Sequence, residues 1–219
     1  MEKEVKLGFK DKESLLKVTT ADSFRNACID ISGPKPVLLE NSYLDSADRF
    51  ISARGGSVRI RHYAEPENDY YEFTVKFGGG TKGGFHKRYE WNLRSDNNVF
   101  SISRFKDMAD CSDDPEDLLS EVFGDLNDEE LIVICSNSFY RTVYTLSYNS
   151  STIEACVDSG IIRSSDGMKT DEICELELEL TGGTEDDLIE LSEAIKRETG
   201  CTPLTKTKFT RTLSLAVEG

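Results

Sequence analysis

Six segments of the chain alternate charged and apolar residues with a period of two, the spacing that sends successive side chains of a β-strand to opposite faces. Residues 2–9 put Glu2, Glu4 and Lys6 on one face and Val5, Leu7 and Phe9 on the other. Val58-Arg59-Ile60-Arg61, Glu72-Phe73-Thr74-Val75-Lys76-Phe77 and Arg88-Tyr89-Glu90-Trp91-Asn92-Leu93 repeat the pattern. So do Ile153-Glu154-Ala155-Cys156-Val157-Asp158 and Glu175-Leu176-Glu177-Leu178-Glu179-Leu180. Any one such strand fits a sheet with one wet face. Together, however, the polar faces carry Arg, Lys and Glu where a wet sheet usually mixes Thr, Ser and Gln. The pattern predicts a sheet closed on itself, with apolar residues outward beneath helices and charges inward.

Three stretches read as helical cover. Residues 11–30 carry Leu15, Leu16, Val18, Phe24, Ala27 and Cys28, spaced for one helix or two short ones. Residues 114–123 have Pro115 near the start, Leu118, Leu119, Val122 and Phe123 within, and Gly124 as a stop. Residues 185–199 show Leu188, Leu191 and Ile195 as one stripe, Thr184 with Asp187 as a capping-box variant, and Gly200 as the C-terminal stop. The acidic run 110–130 reads as a solvated insertion. Gly78-Gly79-Gly80-Thr81-Lys82-Gly83-Gly84 lacks the GxxxxGK[ST] spacing of a phosphate loop and precedes a strand, so it reads as a hairpin.

Composition narrows the function classes. The 219 residues suffice for a substantial core, and one domain spanning 1–219 is expected. A net charge of −15 argues against a nucleic-acid-binding face, while leaving room for a local basic cavity. Six cysteines without a CxxC pair predict buried, reduced thiols and a cytoplasmic protein. The charged N-terminus predicts no signal peptide, and no apolar stretch approaches the roughly 20 residues of a membrane span. Two histidines make a His-centred hydrolase a poor reading. Like charges side by side are costly unless cations neutralise them. Two carboxylate-faced strands brought together therefore predict an oxygen-rich site for a hard divalent metal.

The order of these motifs resembles the triphosphate tunnel metalloenzymes, the CYTH superfamily. The resemblance rests on ExExK at Glu2, Glu4 and Lys6, Tyr43-Leu44-Asp45-Ser46, the Arg59/Arg61 pair, Lys76, Arg88-Tyr89-Glu90, Arg141, Glu154 with Asp158, and the late Glu175/Glu177/Glu179 strand. It extends to Lys208 and Arg211. It implies an α+β fold built on a closed antiparallel eight-stranded β-barrel whose charged tunnel binds a triphosphate and Mg²⁺ or Mn²⁺. By that resemblance Glu2, Glu4, Glu90, Asp158, Glu177 and Glu179 are the metal-binding acids. Lys6, Arg59, Arg61, Lys76, Arg88, Arg141, Lys206, Lys208 and Arg211 are the substrate-binding set. Lys6, Glu154, Asp158 and Glu175 are the catalytic candidates, and Asp45 organises the tunnel wall through ion pairs. Ser138 stands near a position that is basic in many relatives.

The implied reaction is metal-dependent hydrolysis of a triphosphate, with inorganic tripolyphosphate favoured because it needs no base or sugar pocket. Thiamine triphosphatase, a class IV-type adenylyl cyclase and a non-catalytic polyphosphate- or nucleotide-binding module are the alternatives. The expected partner is a small-molecule triphosphate, with no nucleic acid and no membrane, for a monomer or homodimer.

Overall fold

Residues 1–30, 34–64, 69–109, 117–164 and 168–217 are described in the computed structural model. Strand β1 (Glu2–Gly8) leads into two short helices, α1 (Lys12–Leu16) and α2 (Asp22–Ala27), joined by a 3-10 turn at Lys17–Thr20. Four strands follow: β2 (Val37–Asp45), β3 (Ser57–Tyr63), β4 (Tyr70–Lys82) and β5 (Phe85–Ser95). Helices α3 (Ile102–Ala109) and α4 (Asp117–Phe123) precede three long strands, β6 (Ile132–Tyr148), β7 (Ser151–Arg163) and β8 (Thr170–Gly182). Helix α5 (Glu185–Thr199), the two-residue strand β9 (Thr202–Pro203) and helix α6 (Lys208–Val217) complete the chain.

Neighbouring strands run β5–β4–β3–β2–β6–β7–β8–β1, and β1 pairs back onto β5, so eight antiparallel strands close in a ring. β9 adds to β1 opposite Leu7 and Gly8. Register follows the period-two pattern: Glu4 lies opposite Glu179, Lys6 opposite Glu177, and Lys76 opposite Glu90. A slip of one residue would turn every charge outward and every leucine into the tunnel, which pins the pairing.

The outward faces are covered as the alternation demands. Val5, Leu7, Ala155, Val157, Leu176 and Leu178 pack with Leu15, Val18 and Phe24, and with Leu188, Leu191 and Ile195 of α5. On the other side Val58, Phe73, Val75 and Trp91 pack beneath Phe100, Phe105, Leu119, Val122 and Phe123. Each fully buried side chain of this size contributes about 1.5–3 kcal/mol. A third cluster, Leu39, Phe139, Ile162 and Ile173, occupies inward strand positions with Leu215 of α6 packed on it, and closes one end of the ring.

Several expectations are corrected. The segment read as a solvated insertion holds α4, whose Leu119 and Phe123 are buried; residues 110–116, including Pro115, lie outside the described residues. Helix α3 was not expected, and α6 makes a helix of a segment known only for two basic residues. Ser138 faces outward, paired with Glu40 and Ile161 on the outer wall, because the inward positions of β6 are Asn137, Phe139 and Arg141. The box at α5 is half formed. Thr184 Oγ1 accepts the Asp187 amide, but the Asp187 carboxylate accepts from Asn149 and Ser151 of the β6–β7 turn. The glycine run is a hairpin, with a bulge between Phe77 and Gly80. No helix among the described residues is long and apolar enough to cross a membrane. The five described cysteines are free thiols, and Cys111 lies outside the described residues.

Candidate active site

The inward faces of the ring enclose a cavity of about 280 Å³. Among the described residues seven cations line it (Lys6, Arg59, Arg61, Lys76, Arg88, Arg141 and Lys208) and seven carboxylates (Glu2, Glu4, Glu72, Glu90, Glu154, Glu177 and Glu179). These come from β1, β3, β4, β5, β6, β7, β8 and α6, so the site exists only when the ring is closed. A wider groove of about 870 Å³ lies outside the ring along β2, β3 and β6. It carries none of the expected site residues.

Ion pairs stitch the interior together. Lys76 Nζ reaches Glu2 at 2.8 Å and Glu90 at 2.7 Å, and Arg88 reaches Glu4 at 2.5 Å. Lys6 lies 2.7 Å from Glu4 and also contacts Glu177. Arg141 forks onto Asp158 at 2.7 and 2.6 Å and touches Glu177 at 2.5 Å. Lys208 meets Glu175, Glu177 and Asp158 at 2.7–2.8 Å. Burial opposes charge on Glu177, but Lys208, Lys6 and Arg141 outweigh it and hold the carboxyl well below the usual range.

One part of the wall is different. Glu4, Glu179 and Glu154 sit directly opposite one another on β1, β8 and β7, a row of three carboxylates at adjacent positions. Among the described residues no Lys, Arg or His lies within ion-pair distance of Glu154 or Glu179. Burial pushes the Glu179 carboxyl up to about 7, with Glu90, Glu4 and Glu154 adding repulsion against Lys76. Burial raises Glu2 to about 7 as well, reinforced by Glu4 and Glu90. Glu4 is held at about 2: burial opposes its ionisation, but Lys6, Lys76 and Arg88 prevail. Among the described residues no three His, Cys, Asp or Glu side chains stand close enough to form a ready metal cage. The donor set itself, adjacent carboxylates of which Glu154 and Glu179 have no cationic partner among the described residues, is the chemistry that fits a hard divalent ion.

The basic wall has open donors. Arg59 Nη2 donates to Thr74 at 2.7 Å and lies 3.3 Å from Glu72, while its buried Nε has no hydrogen-bond partner. Arg88 Nε is buried and unpartnered in the same way. Two orphaned guanidinium N–H groups in a cation-lined cavity fit an anion with many acceptor oxygens.

Four expected site residues do not reach the cavity. Asp158, fully buried, is occupied by Arg141 and Lys208, and Glu175 by Lys208 and Arg211, so both acids brace cations without lining the cavity. Arg211 turns to Asp171 at 2.7 Å and to Glu175, and with Lys206 lines a separate outer groove, because α6 sends Lys208 inward and Arg211 outward. Asp45 forms no ion pair among the described residues. It accepts the backbone N–H groups of Ser46, Ile51 and Ser52 at 2.8–2.9 Å and fixes the turn after β2.

The sequence reading missed Glu72 as a site residue, and Thr74 and Asn92, which join Arg59 to Glu90 through hydrogen bonds of 2.7 and 3.0 Å. Period two does place them on the faces of Lys76 and Glu90. Cys156 lines the cavity, but burial pushes its thiol up, so it stays protonated and inert.

Comparison with known proteins agrees with this architecture. The CYTH domain model matches residues 1–213. A protein of Haemophilus influenzae named inorganic triphosphatase is 26% identical over 163 residues, covering 74% of this chain and 41% of that one. The chain thus spans under half the length of that relative. Among solved structures, Hippeastrum HpAC1, named for adenylyl cyclase and described as having a dominant triphosphatase activity, superposes with a TM-score of 0.68 at 18% identity, covering 99% of this chain and 97% of its own. A Bacillus halodurans protein named for adenylate cyclase gives 0.54 at 18% identity, covering 96% and 98%. At these identities the solved structures speak for the fold alone. With the family model spanning nearly its full length, the chain belongs to the CYTH domain family.

Proposed function

We propose that this protein hydrolyses a triphosphate with the help of a divalent metal, and that inorganic tripolyphosphate is the substrate that suits it best. The observation that carries the reading is the cavity's composition: seven cations balance seven carboxylates, with two buried guanidinium donors left open. A triphosphate would add several negative charges to an enclosed site whose formal side-chain charges otherwise cancel. Companion cations restore the balance, and the Glu4–Glu179–Glu154 row is where the walls favour one.

Arg59 and Arg88 would grip phosphate oxygens through the donors their protein partners leave open, with Arg61, Arg141 and Lys208 further along the chain of phosphates. Lys6 and Lys76, pinned between carboxylates, supply fixed positive charge that needs no reorganisation as the leaving pyrophosphate gains charge. Glu4 and Glu179, with Glu2 and Glu90 beside them, would hold Mg²⁺ or Mn²⁺. That ion, when bound, polarises the phosphoryl oxygens. Glu154, without a cationic partner among the described residues, orients the attacking water. A cavity of about 280 Å³ suits a phosphate chain better than a whole nucleotide, which disfavours the cyclase reading.

The test is phosphate release from tripolyphosphate, ATP and thiamine triphosphate under Mg²⁺ and Mn²⁺, with cyclic AMP and pyrophosphate followed in parallel. Tripolyphosphate should dominate; cyclic AMP as a main product would refute the hydrolase. Glu4→Gln should lower metal-dependent release by about 100-fold or more, the scale of losing one charge-stabilising group at a reaction centre. Unchanged turnover in that variant would refute the role given to Glu4, and binding without release from any of the three substrates would leave only a binding module.

A further inference from the structure

Beyond the ion pairs, an unbroken line of hydrogen bonds without a carboxylate crosses the tunnel wall. Arg61 Nε donates to Asn41 Oδ1 at 2.9 Å, Asn41 Nδ2 to Asn137 Oδ1 at 3.0 Å, and Asn137 Nδ2 to Thr212 Oγ1 at 2.8 Å. Thr212 Oγ1 then donates to the Lys208 carbonyl at 2.7 Å. All five residues are at least nine-tenths buried. The line therefore joins β3, β2, β6 and α6, and its two ends are the residues that carry the Arg61 guanidinium and the Lys208 ammonium into the same cavity.

The directions are forced. A guanidinium only donates, so Asn41 must present its oxygen to Arg61 and its NH₂ to Asn137; Asn137 must repeat that orientation, and Thr212 must accept from it. Reversing either amide would set donor against donor inside the wall. Such an error would be costly among buried side chains, so the orientation of each amide fixes the next. Arg61 makes no ion pair among the described residues, unlike Arg88, Arg141 and Lys208. Its Nε is held by the Asn41 amide oxygen rather than by a carboxylate.

We infer that Asn41, Asn137 and Thr212 are positioning residues that couple the seating of α6, and with it Lys208, to the orientation of Arg61 for phosphate. This rests on the triphosphate reading of the cavity. Thr212→Val keeps the shape and removes the acceptor, leaving the buried Asn137 Nδ2 without its partner and loosening the line that holds Asn41 against Arg61. It should raise KM for tripolyphosphate about tenfold, on the scale of one hydrogen bond in a charged network, with kcat changed far less. Thr212→Ser keeps the oxygen and should restore KM.

The deciding measurement is the double-mutant cycle with Arg61→Lys, read both as KM and as the Kd of tripolyphosphate by calorimetry. Positioning through Arg61 requires the Thr212→Val effect to vanish in the Arg61→Lys background. The same fold-change in both backgrounds, or a loss of thermal stability with KM and Kd unmoved, would overturn the inference and reduce Thr212 to a structural contact. Wild-type protein that neither binds nor cleaves tripolyphosphate would instead overturn the functional reading on which it stands, a result the calorimetry distinguishes at once.

Discussion

Glu179 shows how much a single residue's neighbours decide. Its carboxyl and that of Glu2 sit at about 7 because burial and surrounding acids penalise the charge. The folded state thus holds protons that the unfolded chain, with an ordinary glutamate value near 4.5, releases earlier. Their contribution to stability is full below about pH 4.5 and is lost as the pH rises through 7. The metal-free protein should therefore melt at a lower temperature at pH 8 than Glu179→Gln does, by about 2–4 °C for each kcal/mol recovered. At pH 5 the two should converge, and a constant gap across that range would refute the assignment. Added Mg²⁺ should raise the wild-type melting temperature at pH 8 more than that of the variant. Such inward acids were legible in the sequence because Glu, Arg and Lys recurring at period two on strand after strand need a shared interior in which to neutralise one another. Their separate tasks were not. Asp45, Asp158 and Glu179 are all buried or half-buried acids, yet one caps backbone amides, one braces two cations and one faces the cavity uncompensated. Sequence records the carboxyl group and leaves out its partners.

Among the elements, the β4–β5 hairpin uses several left-handed glycines, of which Gly79 is the most tightly confined. Gly79 has φ of 76°, and a Cβ there would stand 1.7 Å from the Lys87 carbonyl oxygen. Only glycine allows the bulge that offsets the register between Phe77 and Gly80. Gly79→Ala should destabilise the protein by about 1–3 kcal/mol in urea unfolding, whereas Gly80→Ala, with open space around its Cβ, should cost far less. Equal effects at both positions would refute the argument. The glycine run announced a turn, but which glycine carries the strain depends on a strand it has yet to meet. Helix α5 was readable end to end, since stripe, cap and Gly200 stop are all local signals. Helix α6 was not: its Lys208 faces inward and its Phe209 packs against Tyr43, contacts that exist only in the assembled ring.

For the whole molecule, closure is the governing fact. The inward charges and outward leucines argue for a closed wall, and that much of the architecture could be read from periodicity. The order of strands could not, because pairing partners lie far apart in the chain. β1 is the keystone, held by Phe85–Arg88 on one side and Glu175–Glu179 on the other. Deleting residues 2–8 should open the ring and abolish cooperative thermal unfolding, while Glu2→Gln and Glu4→Gln together should leave the far-ultraviolet dichroism unchanged. A truncated protein that melts as sharply as the full chain would contradict this. The keystone also sets a timetable for birth on the ribosome. Strand β1 waits for β8, its second partner in the ring, until roughly 170 further residues have emerged, about 10–35 s at about 5–20 residues per second. Through that interval Val5 and Leu7 have no permanent shelter, so newborn copies should depend on holding chaperones far more than the finished cylinder does.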